Sequence, residues 1–86
     1  MSLEEEILNA NKAGNIILGY RESIKFIKLN KAKVVVIANN LPEKIAREVE
    51  HNAKIAGIRF EVFNKGSKEL GVLCGKPYPV SVLVIK

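Results

Sequence analysis

Apolar and polar positions along this chain change period every ten residues or so, and each change marks a new element. Leu3, Ile7, Leu8 and Ala10 fall roughly on one side of a helix over residues 3–12, with Gly14 as its stop. Residues 16–18 are a short apolar run, read as a strand and closed by Gly19. Over residues 20–29 the spacing becomes helical. At 3.6 residues per turn, Arg21, Lys25 and Lys28 fall within about 60° of one another, and Tyr20, Ile24 and Ile27 lie on the neighbouring face toward the interior. Residues 34–38 are five consecutive apolar residues rich in β-branching, the mark of a central strand covered on both faces.

Asn39-Asn40-Leu41-Pro42-Glu43 then opens a helix, with Asn40 as its expected cap, Pro42 in the first turn and Glu43 near the positive end of the dipole. Ile45, Val49, Ala53 and Ala56 supply its inner stripe and Gly57 ends it. Residues 59–63 alternate and predict a strand. Residues 67–74 predict a short helix capped by Ser67 and stopped by Gly75, and residues 80–85 a last apolar strand. Helices alternating with short strands through loops of a few residues imply a three-layer α/β/α domain with about four strands.

Composition narrows the class. A chain of 86 residues makes one small domain that buries roughly 60% of its unfolded surface, and 48% hydrophobic with 27% charged residues predicts independent folding. No apolar run approaches the ~18 residues of a membrane span. The acidic start, Glu4-Glu5-Glu6, lacks the basic region of a signal peptide. The single cysteine, Cys74, excludes an intrachain disulfide and predicts a reducing compartment.

The formal net charge of +5 is unevenly placed: residues 1–14 carry −2, whereas residues 19–33 carry +4. The second helix and its exit therefore form a footprint for a polyanion, or a solvated face that only keeps the protein soluble. Where the strand turns into this helix, free N–H groups and the macrodipole favour an anion, which makes the turn a candidate phosphate-backbone site.

Catalysis finds little support. Gly66 to Gly71 has the step of a phosphate-binding loop, but Val72-Leu73 stand where Lys-Ser/Thr is required. The chain contains no Asp, and no Ser/His/acid or Cys/His set is visible. Cys74 reads as a buried small hydrophobe, and His51 as a solvent-facing helix residue. No enzyme activity, cofactor or metal is expected.

Four stretches in order carry a family resemblance: Gly19-Tyr20-Arg21-Glu22-Ser23-Ile24-Lys25, then Ala32-Lys33-Val34-Val35-Val36-Ile37-Ala38-Asn39-Asn40-Leu41-Pro42, then Glu69-Leu70-Gly71, then Gly75-Lys76-Pro77-Tyr78-Pro79-Val80-Ser81. With the helices between them, they resemble the kink-turn-binding, seven-Ae-like ribosomal protein superfamily across essentially the whole chain. Within it they resemble the branch of the archaeal and eukaryotic large-subunit ribosomal protein thirty. The resemblance implies an α/β/α sandwich with a mixed four-stranded sheet, spanning residues 1–86 as a single RNA-binding domain. It also implies a structural role in the cytoplasmic ribosome. The implied partner is a kink-turn or similar rRNA internal loop with tandem sheared G·A pairs, with neighbouring ribosomal proteins as further contacts and no membrane or small-molecule substrate.

The family's RNA contacts map onto particular residues. Gly19 matches the glycine that lets backbone approach the RNA, with Tyr20 beside it. Arg21 stands where the kink-turn archetypes have Asn and the ribosomal thirty branch a basic residue. Glu22 matches an acceptor for a guanine edge, and Lys25 a donor to phosphate or guanine O6. Lys28 and Lys76 are expected at phosphates, and Asn40 matches an Asn in the loop after the central strand. Tyr78 and Val80 match the apolar pair that packs on an extruded base. Bland readings stand beside these. Glu22 could pair with Lys25 or cap the helix, Tyr78 could cover the core, and Val80 could be the first core residue of its strand. Two other functions stay open: a related protein of guide-RNA or RNase P particles, and a protein–protein module with a basic face.

Overall fold

A computed structural model of the chain describes residues 2–86. In order they form α1 (Leu3–Lys12), β1 (Ile16–Leu18), α2 (Tyr20–Lys28), β2 (Val34–Ile37), α3 (Glu43–Ala56), β3 (Arg59–Val62), α4 (Ser67–Leu73) and β4 (Val82–Ile85). The strands make one mixed sheet in the order β1-β4-β2-β3. β4 is antiparallel to both of its neighbours, with Leu83 opposite Leu18 on β1 and opposite Val36 on β2, and β3 runs parallel to β2.

The pleat sorts β2 and β4 onto two buried faces, since successive side chains point to opposite sides of a sheet. Val34 and Val36 of β2, with Leu83 and Ile85 of β4, pack with Ile7 and Ala10 of α1 and Leu70 of α4. Val35 and Ile37, with Val82 and Val84, pack with Ile27 of α2 and Val49 and Ala53 of α3. These two unbroken apolar runs are thus explained by a helical layer on each face. Burying each such side chain is worth roughly 1.5–3 kcal/mol. Cys74 belongs to the first cluster at 2% exposure, and burial pushes its thiol pKa up, as suits a packing residue.

Several ends differ from the sequence expectation. α2 stops at Lys28, with Leu29 in the capping position. β2 ends one residue early at Ile37, although Ala38 N–H still donates to Ser81 C=O at 2.8 Å. β3 stops at Val62, and Phe63 turns into the core at 2% exposure. α4 runs only to Leu73, with Cys74 as its cap. β4 begins at Val82 because Pro79 has no N–H to give a ladder and Val80 N–H donates instead to Ser67 C=O at 3.0 Å. On α1, Leu8 is solvent-facing at 40% exposure. On α2, Ser23 rather than Tyr20 takes the innermost position, with a fully buried hydroxyl that has no hydrogen-bond partner among the described residues.

Asn40 does not cap α3, whose capping position is Pro42, without a side-chain hydrogen bond. It caps the neighbouring helix instead. Its Oδ1 accepts from Ser67 N–H at 3.0 Å, and its Nδ2 lies 3.5 Å from the Ser67 hydroxyl. Ser67 is accordingly the first residue of α4 rather than its cap, a position that Gly66 occupies. A second tie joins α1 to the sheet edge. The Arg59 guanidinium donates to both carboxylate oxygens of Glu6, at 3.1 and 2.9 Å, and to Glu61 at 2.8 Å. The hydrogen bonds from Arg59 hold the Glu6 pKa below its ordinary value.

Candidate nucleic-acid interface

Two stretches far apart in sequence meet because β1 and β4 are antiparallel neighbours. The end of β1 lies beside the start of β4, and Gly19 N–H donates to Val82 C=O at 2.9 Å. The turn into α2 therefore stands next to the loop that precedes β4. Between them lies an open pocket of about 350 Å³, walled by Leu18, Gly19 and Tyr20 on one side and by residues 78–81 on the other.

Each wall is held firmly. Gly19 has φ +102°, a conformation that a side chain would strain, and this lets the strand break directly into a helix. Tyr20, 37% exposed, donates its hydroxyl hydrogen bond to Glu48 of α3. That bond to a carboxylate raises the Tyr20 pKa and fixes the ring against the neighbouring helix. The opposite wall rests on α4. Lys76 N–H donates to Gly71 C=O at 2.9 Å, and the Tyr78 carbonyl lies directly over Gly71. Tyr78 is 52% exposed between exposed Pro77 and Pro79. Each proline fixes its own φ.

From this pocket α2 carries its charges outward. Ser23 N–H makes the first intrahelical bond, to Gly19 C=O at 3.0 Å, so the N–H groups of Tyr20, Arg21 and Glu22 have no intrahelical acceptor. Gly19, in the capping position, has no side chain to cap this end. Arg21, Glu22, Lys25 and Lys28 are all exposed, and among the described residues none of them is in an ion pair. Among the described residues, Glu22 neither pairs with Lys25 nor caps the helix, so its carboxylate faces solvent. Exposed cations and an acceptor along α2, N–H donors at its start and an aromatic wall across the pocket from that start are groups that can meet phosphates, a base edge and an unstacked base.

The expected contacts divide accordingly. Gly19, Tyr20, Tyr78 and Val80 come together at the pocket. Val80 is only 4% exposed and packs in the core, so of the Tyr78–Val80 pair it is Tyr78 that presents a ring to solvent. Lys76 lines a neighbouring pocket with Tyr78 and Pro79 instead. Asn40 lines neither, since its amide is engaged by the start of α4. Glu48 and Gly71 have positions in this surface that the sequence assigned to neither. Glu48 meets Tyr20 across 28 residues with no periodic signal. Gly71 left two signs, a glycine inside a helical pattern and its place in the Glu69-Leu70-Gly71 stretch of the resemblance.

Among the described residues, no three His, Cys, Asp or Glu side chains gather so as to hold a metal, and no helix is long and apolar enough to cross a membrane. Comparison with known proteins gives consistent results. The large ribosomal subunit protein eL30 of Methanothermobacter thermautotrophicus is 40% identical over 86 residues, which is all of this chain and 88% of that protein. Its counterpart in Methanocaldococcus jannaschii is 38% identical over 99% of this chain and 77% of that protein. Among solved structures, a Bacillus halodurans protein of unknown function superposes with a TM-score of 0.87 at 16% identity, over 100% of this chain and 86% of that one. A Giardia lamblia 15.5 kD RNA-binding protein superposes with a TM-score of 0.86 at 22% identity, over 96% and 69%. The family model described as ribosomal protein L7Ae/L30e/S12e/Gadd45 matches residues 1–86, and the chain belongs to that family.

Proposed function

We propose that this protein is an RNA-binding structural component of the large ribosomal subunit, working in the cytoplasm, and that it recognises a kink-turn or similar internal loop of rRNA. The observation that carries the reading is the junction of the α2 turn with the Tyr78 loop. It puts the Tyr78 wall across a pocket from Gly19 and Tyr20 at the start of α2, the helix on which Arg21, Glu22 and Lys25 are exposed and, among the described residues, in no ion pair. The eL30 relatives, at 40% and 38% identity over nearly the whole chain, support the ribosomal assignment.

The chemistry follows from how RNA is read. The A-form major groove is too narrow for side chains, so proteins read sequence where the helix is broken and bases are splayed. Arg21 and Lys25 supply donors and Glu22 an acceptor, which together match the mixed edge of guanine. Lys28 lies one turn further along the same face to meet phosphate. Gly19, without a side chain, leaves room for the backbone of the RNA. Tyr78 offers the face on which one extruded base stacks. Because both walls are fixed by hydrogen bonds and prolines, little ordering entropy is lost on binding.

The test is a titration at two salt concentrations with a kink-turn RNA and a control whose sheared G·A pairs are replaced by Watson–Crick pairs. Tight binding to the kink-turn alone, weakening steeply with salt as counterions are released, is the expected result. Equal weak binding to both RNAs, or affinity that is flat with salt, overturns the reading and favours an acidic protein partner for the basic face.

A further inference from the structure

Tyr78 and Pro79 border two pockets. One is shared with the α2 turn. The other, about 280 Å³ and near the lower end of ligand-pocket sizes, is lined by Lys68, Val72, Lys76, Pro77, Tyr78 and Pro79 and contains no residue of α2. We propose that this second pocket seats a further unpaired nucleotide of the RNA, its base against Val72 and the proline rings and its phosphates on Lys68 and Lys76. The proposal rests on the RNA-binding reading above and extends its footprint onto α4.

The composition of the pocket carries the argument. Lys68 and Val72 are four residues apart on α4 and so share a face. Gly75, at φ +71°, then turns the chain back, and Lys76 N–H anchors to Gly71 C=O, which returns a second ammonium to the same pocket. Val72 is 69% exposed beside the half-exposed Tyr78 ring, an apolar surface left open. Among the described residues, no carboxylate lines it and neither lysine is in an ion pair. By contrast, the pocket that adjoins it at Val72 includes Glu4 and Glu69. Two unpaired cations over an apolar floor, with an aromatic edge and no anion, complement a ligand that is anionic along its backbone and flat and apolar in its face. A nucleotide has both properties. Single-strand sites are built from the same combination of cationic groove and stacking platform. With a pocket on each side of Tyr78, successive unpaired nucleotides pass from one to the other across its ring.

A double-mutant cycle tests this. The probes are a kink-turn RNA and versions in which each unpaired nucleotide in turn is made abasic; the proteins are the native chain, Val72→Ala and Lys68→Glu. Val72→Ala should weaken the intact RNA about fivefold and have no effect on the one abasic RNA that lacks the seated base. Lys68→Glu should weaken every RNA and lower the salt slope by about one or more. Both residues are exposed and both substitutions suit a helix, so melting temperatures should not fall. Tight native binding with a silent Val72→Ala, or equal weakening of every abasic RNA by it, overturns the second seat and leaves the main reading standing. A native protein that does not prefer the kink-turn overturns both.

Discussion

A methyl group placed on Gly71 would stand 2.2 Å from the carbonyl oxygen of Tyr78. α4 and the loop before β4 therefore touch backbone to backbone, and the exposed ring of Tyr78 is aimed by a residue whose own contribution is the absence of a side chain. The neighbour is a carbonyl group and cannot rotate away like a side-chain tip. Gly71→Ala must push the loop off α4, at the ~1–3 kcal/mol typical of overpacking. The expected outcome is a lower melting temperature together with a larger loss of RNA affinity than the Tm change alone explains, measured by thermal melts and by titration at a temperature where the variant is folded.

Tyr78→Ala should behave oppositely. With half its surface in solvent, the ring contributes little to the core. Its truncation should cost about 1–3 kcal/mol of RNA binding and leave the melting temperature nearly unchanged. A large drop in Tm would place the ring in the fold rather than in the interface.

Glu22 separates reading from attraction. A carboxylate lowers affinity for phosphate, so its removal should improve binding to plain duplex RNA if it does nothing else. As an acceptor for a guanine edge, it should instead cost about 1–3 kcal/mol on a kink-turn when changed to Ala. Comparing Glu22→Ala on the two RNAs decides between a loss confined to the kink-turn and a change shared by both.

Asn40→Ala should act on stability. It removes the acceptor for Ser67 N–H at the start of α4, at a cost of about 1 kcal/mol for a lost cap. In a domain of this size, that corresponds to roughly 4–8 °C in Tm. Because α4 carries the Tyr78 loop, a modest loss of RNA affinity should accompany it, and Asn40→Asp, which keeps the acceptor, should restore most of both.

The Glu6–Arg59 tie carries a pH signature. The carboxyl of Glu6 is held below its ordinary pKa by the hydrogen bonds from Arg59. Its stabilisation is therefore complete above the unfolded value, ~4.3, and disappears as pH falls through the lower folded value. The difference in Tm between the native chain and Glu6→Gln should be present at pH 7 and fade as pH falls below the ordinary carboxylate range. Because both groups are solvent-accessible, it should also shrink with added salt.

Hydrophobic period accounts for most of what could be read without coordinates. The β-branched runs in β2 and β4 and the four-step stripe of α3 are signals that act over one or two turns, and those elements stand where expected. The ends moved where a long-range contact outbid a local one. Val80 gives its N–H to Ser67, and Asn40 spends its amide on α4 rather than on the helix that follows it in sequence. The basic row of α2 was legible because Arg21, Lys25 and Lys28 share a face by spacing alone. The companions of the candidate site were not. Tyr20–Glu48 and Gly71–Tyr78 are set by how helices stack on a sheet, and no local pattern encodes which carboxylate will lie under a given hydroxyl.

The position of β4 in the sheet has a consequence for how the protein comes into being. Of the four strands this one is synthesised after the other three, yet it lies between β1 and β2, with Ile85 opposite both Ile16 and Val34. A nascent chain that has emerged through α4 already holds every cation of α2, but β1 has no partner and neither half of the core can close. Such pairings across most of the chain are slow to form. The same few residues that complete the sheet also bring the Tyr78 loop against Gly19. An incomplete chain thus presents the basic helix without its facing loop, and the two walls of the pocket come together only when the sheet is completed.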